Sequence, residues 1–394
     1  MVTMDADGNR TRVCVVTGSR ADYGLLAPVM RAIEAKDDFD LCVLALGSHF
    51  LGSYGHTIDE INSAGFVVDE RVAIEYDDSA QGISRAIGET VKQSTTALAR
   101  LRPDIVLVLG DRYEILASTL SATVLRIPIA HIAGGDVTLG AYDEGFRHAI
   151  TKLSHLHFTT NPDATARVLQ LGEEPWRVFQ VGSPGIDAIV EADLLSREEL
   201  EERLAWKFHS RNLLVTLHPV TLQPETGIEQ AKSLVAALES IPGDIGVVVT
   251  GTNSDSEGVE INAVLQDYCA RNATSTLHAS SLGNLGYLSM LAQVDAVVGN
   301  SSSGLYEAPS LGTPTVNIGI RQAGRARASS VIQCDGDAES ISRGIREALS
   351  RGRTEVTNPY GNGRAAEKIV SVLNKLPDRN TLLLKSFINH GKVC

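Results

Sequence analysis

The stretch Ile105–His148, IVLVLGDRYEILASTLSATVLRIPIAHIAGGDVTLGAYDEGFRH, decides the fold. It opens on an apolar run, Ile105–Leu109, that ends at Gly110-Asp111-Arg112. A helix-length segment follows, and a second apolar run, Ile127–Ile132, ends at Ala133-Gly134-Gly135-Asp136. A further acidic pair, Asp143–Glu144, precedes Arg147 and His148. Apolar runs without alternation, joined by helices, read as strands of a parallel sheet buried on both faces. In such sheets ligands bind outside the carboxyl ends of the strands. Two strands here deliver carboxylates to that edge.

The same unit repeats outward. Arg12–Thr17 and Asp40–Leu46 read as strands, and Leu25–Ala35 and Ser79–Leu101 as helices. Phe66–Asp69 and His155–Thr159 read as further strands. Residues 182–211 change character, from Gly-Ser-Pro-Gly to an acidic helical run, and the alternation then restarts. The expected class is α/β, with two doubly wound, Rossmann-like parallel-sheet domains and a cleft between them. The expected division is a leader over 1–11, a first domain over 12–185 and a linker helix over 186–210. A second domain follows over 211–375, then a C-terminal helix and tail over 376–394.

At 394 residues the chain suits two domains of about 200 residues each. A hydrophobic content of 43% is that of a globular protein, and no apolar run nears the roughly 18–20 residues of a membrane span. The polar first dozen residues lack the apolar core of a signal peptide. Five cysteines, an odd number without metal-ligand spacing, point to a reducing, cytoplasmic setting. A net charge of −13 argues against nucleic-acid binding, but local arginines can still hold an anionic ligand.

Eight groups of residues stand out. Gly18–Gly24 enters a helix, so its amides and Arg20 suit a phosphate, unless it is only a tight turn. It is not a GxGxxG loop. Asp111-Arg112 is either an active-site pair, a surface ion pair or an N-cap. Gly134-Gly135 would let the backbone approach a ligand, although Gly-Gly-Asp is also ordinary turn chemistry. Glu144 and Arg147, three apart, read by default as an intrahelical ion pair. His218, at a strand end, suits an anion contact, proton transfer or simple packing. Gly299–Glu307 (GNSSSGLYE) joins strand, Gly/Ser loop and helix start as an anion nest. Ser301 and Ser302 there suit a diphosphate and Glu307 a ribose. Asn253 lies in a polar loop, and Arg321, Arg325 and Arg327 form a cationic cluster.

Together these motifs resemble one family. GSRADYG at 18–24, GDRYE at 110–114, HIAGGDVTLGAYDEGFRHAITK at 131–152, HPVT at 218–221, TGTNSDSEG at 250–258, SLG at 281–283 and GNSSSGLYEAPSLGTPTVNIGIRQAGR at 299–325 run in order through nearly the whole chain. They are similar to the hydrolysing UDP-N-acetylglucosamine 2-epimerases of sialic-acid biosynthesis, and to relatives acting on UDP-N,N′-diacetylbacillosamine. The resemblance implies a glycosyltransferase-B fold, no cofactor or metal, a UDP-sugar ligand and a homodimer or homotetramer. It implies that Arg20, Ala21, Arg112, Arg147, His218, Asn253, Ser301, Ser302, Glu307 and Arg321 hold the UDP-sugar, with Leu282 beside uracil. Asp111, Asp136, Asp143 and Glu144, with His218, would carry proton transfer. Two positions depart from the pattern. Ala133 stands where non-hydrolysing relatives have Glu, and Asp136 where most hydrolysing members have Glu.

The implied reaction converts UDP-N-acetylglucosamine to N-acetylmannosamine and UDP. One carboxylate takes the C2 proton while UDP leaves C1. Water then adds at C1, and an acid protonates C2 from the opposite face. The same chemistry on UDP-N,N′-diacetylbacillosamine, and a non-hydrolysing epimerase, are the alternatives.

Overall fold

The computed structural model describes residues 10–50, 57–74, 79–137, 143–219, 226–251 and 258–389. The chain divides into two compact units, Met1–Ala188 with Gly363–Cys394, and Ile189–Asn362. The first holds a seven-stranded parallel sheet. Its strands are β1 (Thr11–Thr17), β2 (Phe39–Leu46), β3 (Glu70–Val72), β4 (Ile105–Leu109), β5 (Ile129–Ile132), β6 (Leu156–Thr159) and β7 (Val178–Gln180). Their order is β3-β2-β1-β4-β5-β6-β7. Successive residues serve opposite faces: Val13, Val15 and Leu107 pack in one core, Cys14, Val16, Val106 and Val108 in the other. Two buried faces explain why these strands read as unbroken apolar runs.

The second unit repeats the plan with β8 (Arg211–Thr216), β9 (Ile245–Thr250), β10 (Thr276–Ala279), β11 (Ala296–Gly299), β12 (Thr315–Ile318) and β13 (Val331–Cys334), ordered β10-β9-β8-β11-β12-β13. In each sheet the strand order reverses once, between β1 and β4 and between β8 and β11. Crevices open at such switch points, beyond the strand ends. The loops there are Gly18–Ser19 and Gly110–Arg112 in the first unit, and those opening at Leu217–Pro219 and Asn300–Ser302 in the second.

The structure moves several expected boundaries. The loop GSRADYG is mostly helix: Ser19 caps Arg20–Glu34, its hydroxyl accepting from the Asp22 amide at 3.2 Å. The strand expected at 66–69 lies at Glu70–Val72, and β7 was not anticipated. The linker is not one helix. It comprises the helices Pro184–Val190 and Arg197–Leu204, the latter closed by a Ser196–Glu199 capping box.

The largest difference concerns the C-terminus. The helix Ala365–Leu373, expected in the second domain, packs in the first unit. Ala365, Ala366, Ile369, Val370 and Leu373 share a core with Val29 and Ile33. Buried Asp187 caps that helix, accepting from the amides of Ala365 and Ala366 at 3.0 and 2.6 Å. Apolar periodicity shows that a helix has a buried face but not which sheet covers it. Cys14, Cys42, Cys269 and Cys334 are buried free thiols. No helix among the described residues is long and apolar enough to cross a membrane.

Candidate active site

At the first switch point, six ionisable side chains share a small volume: Asp22, Asp111, Arg112, Glu114, Asp143 and Arg147. Arg147, on the helix Asp143–Leu153, reaches across to β4's end, where its guanidinium pairs with Asp111 and donates to the Ala133 carbonyl at 3.1 Å. Ala133 holds a left-handed φ of +64°, a conformation disfavoured for a residue with a Cβ and typical of functional loops. Arg112 donates through Nε to Glu114 at 2.6 Å, and the Glu114 side chain is only 2% exposed. Burial opposes the Arg112 charge, but Glu114 and Asp22 outweigh it and hold the guanidinium protonated. A Cβ on Gly18 would lie 2.7 Å from Glu114 Cγ, so only glycine leaves room for this carboxylate beneath the first loop.

Two carboxyls in this cluster are raised. Burial pushes Asp22 up to about 7, with Glu114 adding to the rise and Arg112 opposing it. Burial likewise raises Asp143, with Asp111 and Glu114 adding and Arg112 and Arg147 opposing. A raised carboxyl beside an ion-paired carboxylate is an acid next to a base. Asp136 belongs to a different set: its Oδ1 accepts from Thr160 Oγ1 at 2.5 Å and Asn161 Nδ2 at 3.2 Å. His131 bridges the Gly110 carbonyl, 2.8 Å from Nε2, and Thr151, 3.2 Å from Nδ1. Burial drops its pKa to about 3, so it stays neutral and tethers β5 to β4's terminal loop.

At the second switch point, Asn300 ties β8's loop to β11's. Its Oδ1 accepts from the His218 amide at 2.7 Å, and its Nδ2 donates to the His218 carbonyl at 2.8 Å. The Asn300 carbonyl accepts from Arg321 at 3.1 Å and from Gln322 at 2.8 Å. Burial, helped by Arg321, lowers His218 to about 4, so the imidazole is neutral at pH 7. Ser302 precedes the single helical turn Ser303–Tyr306 without capping it through its side chain. Glu307 follows. Its Oε2 is buried without a hydrogen-bond partner among the described residues, and burial raises the carboxyl to about 7 against nearby Arg325. A buried acceptor without a donor is costly, and the hydroxyls of a sugar would satisfy it.

The UDP-N-acetylglucosamine 2-epimerase family profile matches residues 31–374. The chain belongs to that family. A GDP/UDP-N,N′-diacetylbacillosamine 2-epimerase (hydrolyzing) of Campylobacter jejuni is 33% identical over 385 residues, 97% of this chain and 100% of the relative. The UDP-N,N′-diacetylbacillosamine 2-epimerase (hydrolyzing) of Legionella pneumophila is 32% identical, covering 95% of this chain and 98% of its own. A UDP-N-acetylglucosamine 2-epimerase of Neisseria meningitidis is 28% identical, covering 96% and 99%. The solved structure of UDP-GlcNAc 2-epimerase from Neisseria meningitidis, bound to UDP-GlcNAc, superposes with a TM-score of 0.74 at 20% identity. It covers 93% of this chain and 100% of that one. The fold of this epimerase-family chain is therefore the expected two-sheet, glycosyltransferase-B type.

The epimerase site residues read from sequence fall into three groups. Asp111, Arg112, Asp143 and Arg147 come together, as do His218 and Arg321 through Asn300; Ser301 and Ser302 lie in the adjoining loop. Others sit differently from expectation. Arg147 pairs with Asp111 and not with Glu144, which faces His148 at 3.4 Å. Arg147 is buried where it pairs with Asp111. Arg20 is an exposed partner of Glu60 at 2.9 Å. The Leu282 side chain packs in a core with Trp206, Leu214 and Met290. Gly135 lies close to the helix Pro162–Gln170, where a Cβ on it would be 2.3 Å from the Ala164 carbonyl oxygen. Ala21 lies in the first turn of its helix, and Asn253 is outside the described residues. Sequence reasoning missed Asp22, Glu114 and Asn300. The only available signal was their place inside the motifs.

Proposed function

We propose that this epimerase-family chain is a hydrolysing 2-epimerase that takes a UDP-linked 2-acetamido sugar, inverts C2, and releases the free sugar and UDP. The observation that carries the reading is Asp143, its carboxyl raised by burial, beside Asp111 in its ion pair with Arg147. Asp111 acts as base on the C2 proton as the C1–O bond to UDP breaks, giving a 2-acetamidoglycal. Water then adds its oxygen to C1 and gives up a proton that restores the Asp143 acid, while the proton taken by Asp111 passes to solvent. Asp143 returns a proton to C2 from the other face, and the product has the manno configuration. A carboxyl kept protonated by burial and an ion-paired carboxylate are the acid and base such a sequence needs. Asp136, with Thr160 and Asn161 after β5 and β6, and Glu144, with His148 on the helix Asp143–Leu153, hold the sugar's polar groups in this reading. Ser301, Ser302, Arg112 and Arg321 stabilise the diphosphate as it leaves, neutral His218 hydrogen-bonds it, and Glu307 takes the ribose. Arg20, Ala21, Leu282 and Asn253 complete the nucleotide contacts in this reading.

The preferred donor in this reading is UDP-N,N′-diacetylbacillosamine, and its product a 2,4-diacetamido-2,4,6-trideoxymannose. The two relatives named for that donor, at 33% and 32% identity over nearly full length, support it. UDP-N-acetylglucosamine is the second reading, supported by the Neisseria meningitidis relative at 28%. UDP release measured with each donor tests the choice. A kcat/KM at least tenfold higher for the bacillosamine donor is expected, and the reverse preference would return the assignment to UDP-N-acetylglucosamine.

A further inference from the structure

Tyr287 lies on the helix Gly283–Gln293, in the second unit, outside every motif that marks the site. Its hydroxyl is 2.5 Å from Ser303 Oγ. Ser303 Oγ donates to Ser301 Oγ at 3.1 Å, and the Ser303 amide donates to the same oxygen at 3.4 Å. A serine oxygen has two acceptor lone pairs and one proton. With Ser301 accepting from both groups, its own O–H is left to donate, and it stands within reach of the Tyr287 hydroxyl as well as of a ligand. With Ser303 spending its proton on Ser301, the short contact to Tyr287 is satisfied only if the phenol donates. The first two links therefore run from Tyr287 to Ser303 and from Ser303 to Ser301, and they leave the Ser301 proton available to a ligand.

The frame around this chain is rigid. Gly299 has φ +140°, and a Cβ there would lie 1.9 Å from the Thr216 carbonyl, so the loop is pressed onto β8. A Cβ on Gly304 would lie 2.5 Å from Thr315 Cγ2, which presses the loop's far end onto β12. Thr315 Oγ1 also donates to the Gly304 carbonyl at 2.8 Å. The Thr216 and Thr250 hydroxyls meet at 2.6 Å beside Tyr287, closing the polar cluster at the ends of β8 and β9.

We infer that Tyr287 is a positioning residue for the diphosphate: through Ser303 it fixes Ser301 as a hydroxyl donor to the leaving phosphate. The inference rests on the nucleotide reading given above and adds a residue to it. Without the phenolic proton, Ser303 becomes free to accept from Ser301, and Ser301 turns inward, away from the anion. The loss is specific to phosphate, because a nucleoside without phosphates has nothing for Ser301 to bind.

Isothermal titration of the full chain with UDP and with uridine separates the possibilities. Tyr287→Phe is expected to weaken UDP by about tenfold, the scale of one hydrogen bond to a charged group, with uridine changed less than about twofold. Ser303→Ala removes the middle of the chain and is expected to give a similar loss. The double variant should lose no more than the larger single loss, since one relay is broken in each case. UDP affinity unchanged in Tyr287→Phe, equal weakening of UDP and uridine, or additive losses in the double variant would each overturn the inference. A wild-type chain that binds no UDP overturns the nucleotide reading itself, whereas wild-type binding with unaffected variants overturns only the role of Tyr287.

Discussion

Arg147 orients Asp111 from a neighbouring helix, and that pair dictates the first prediction at the scale of the residue. Asp111→Asn keeps the shape but removes the base, and kcat for UDP release should fall at least about 100-fold. Near wild-type turnover in that variant would remove Asp111 from the reaction. Asp22 supports a second prediction. Its usual value is 3.8 and burial raises it to about 7, so between these pH values the folded protein holds a proton that the unfolded chain has released. The stability from this group is complete below the unfolded value and is lost as pH rises through the folded one. Asp22→Asn should escape that loss, gaining on the order of 4 kcal/mol relative to wild type between pH 4 and pH 8. Urea titrations at both pH values measure it, and parallel curves would contradict the shift. The strand-end residues Asp111, Arg112, Ser301 and Ser302 were legible in the sequence because apolar runs stop abruptly at polar glycine loops. Asp22 and Glu114 were not, because an acidic residue near a helix start reads as solvated, and only the packing of Gly18 over Glu114 reveals its burial.

Among elements, the loop after β11 and the C-terminal tail are the most constrained. Gly299→Ala would force a Cβ into the Thr216 carbonyl. It should destabilise the chain by about 3 kcal/mol or more and abolish UDP binding. Retention of both would contradict the tight fit. The tail is clamped on the first unit. Fully buried Glu173 accepts from Lys152 at 2.5 Å, His157 at 2.9 Å and Lys385 at 2.8 Å. Lys385 also donates to the carbonyls of Lys152 and Ser154, both at 2.7 Å, gripping the C-terminal end of the helix that begins with Asp143. Buried Arg177 binds the carbonyls of Thr381, Leu382 and Leu384. Lys385→Met leaves Glu173 short of one cation and should cost about 3 kcal/mol, read as a lower urea midpoint. A change under about 0.5 kcal/mol would place the clamp among weak surface pairs. Helix and strand types were readable from periodicity, but the tail's destination was not, because a cation with an apolar stem fits many surfaces.

For the whole molecule, the repeated strand order explains why two parallel domains are legible in the amino-acid pattern. Each βα unit announces itself locally, whereas the exit and return of the chain between units does not. The second unit is continuous, but the first is completed by residues after 362. Expressed alone, residues 189–362 should therefore melt cooperatively by circular dichroism. Residues 10–188 should not, unless 363–389 are supplied, because Ala365, Ile369 and Leu373 fill their core. A cooperative melt of 10–188 alone would contradict that dependence. The central claim is chemical, and one measurement addresses it most directly. The chain is incubated with UDP-N,N′-diacetylbacillosamine in deuterated water and the products are followed by NMR. The account predicts free manno-configured sugar carrying deuterium at C2, with one UDP released per sugar. A product still linked to UDP, or one that keeps its original C2 hydrogen, would contradict it.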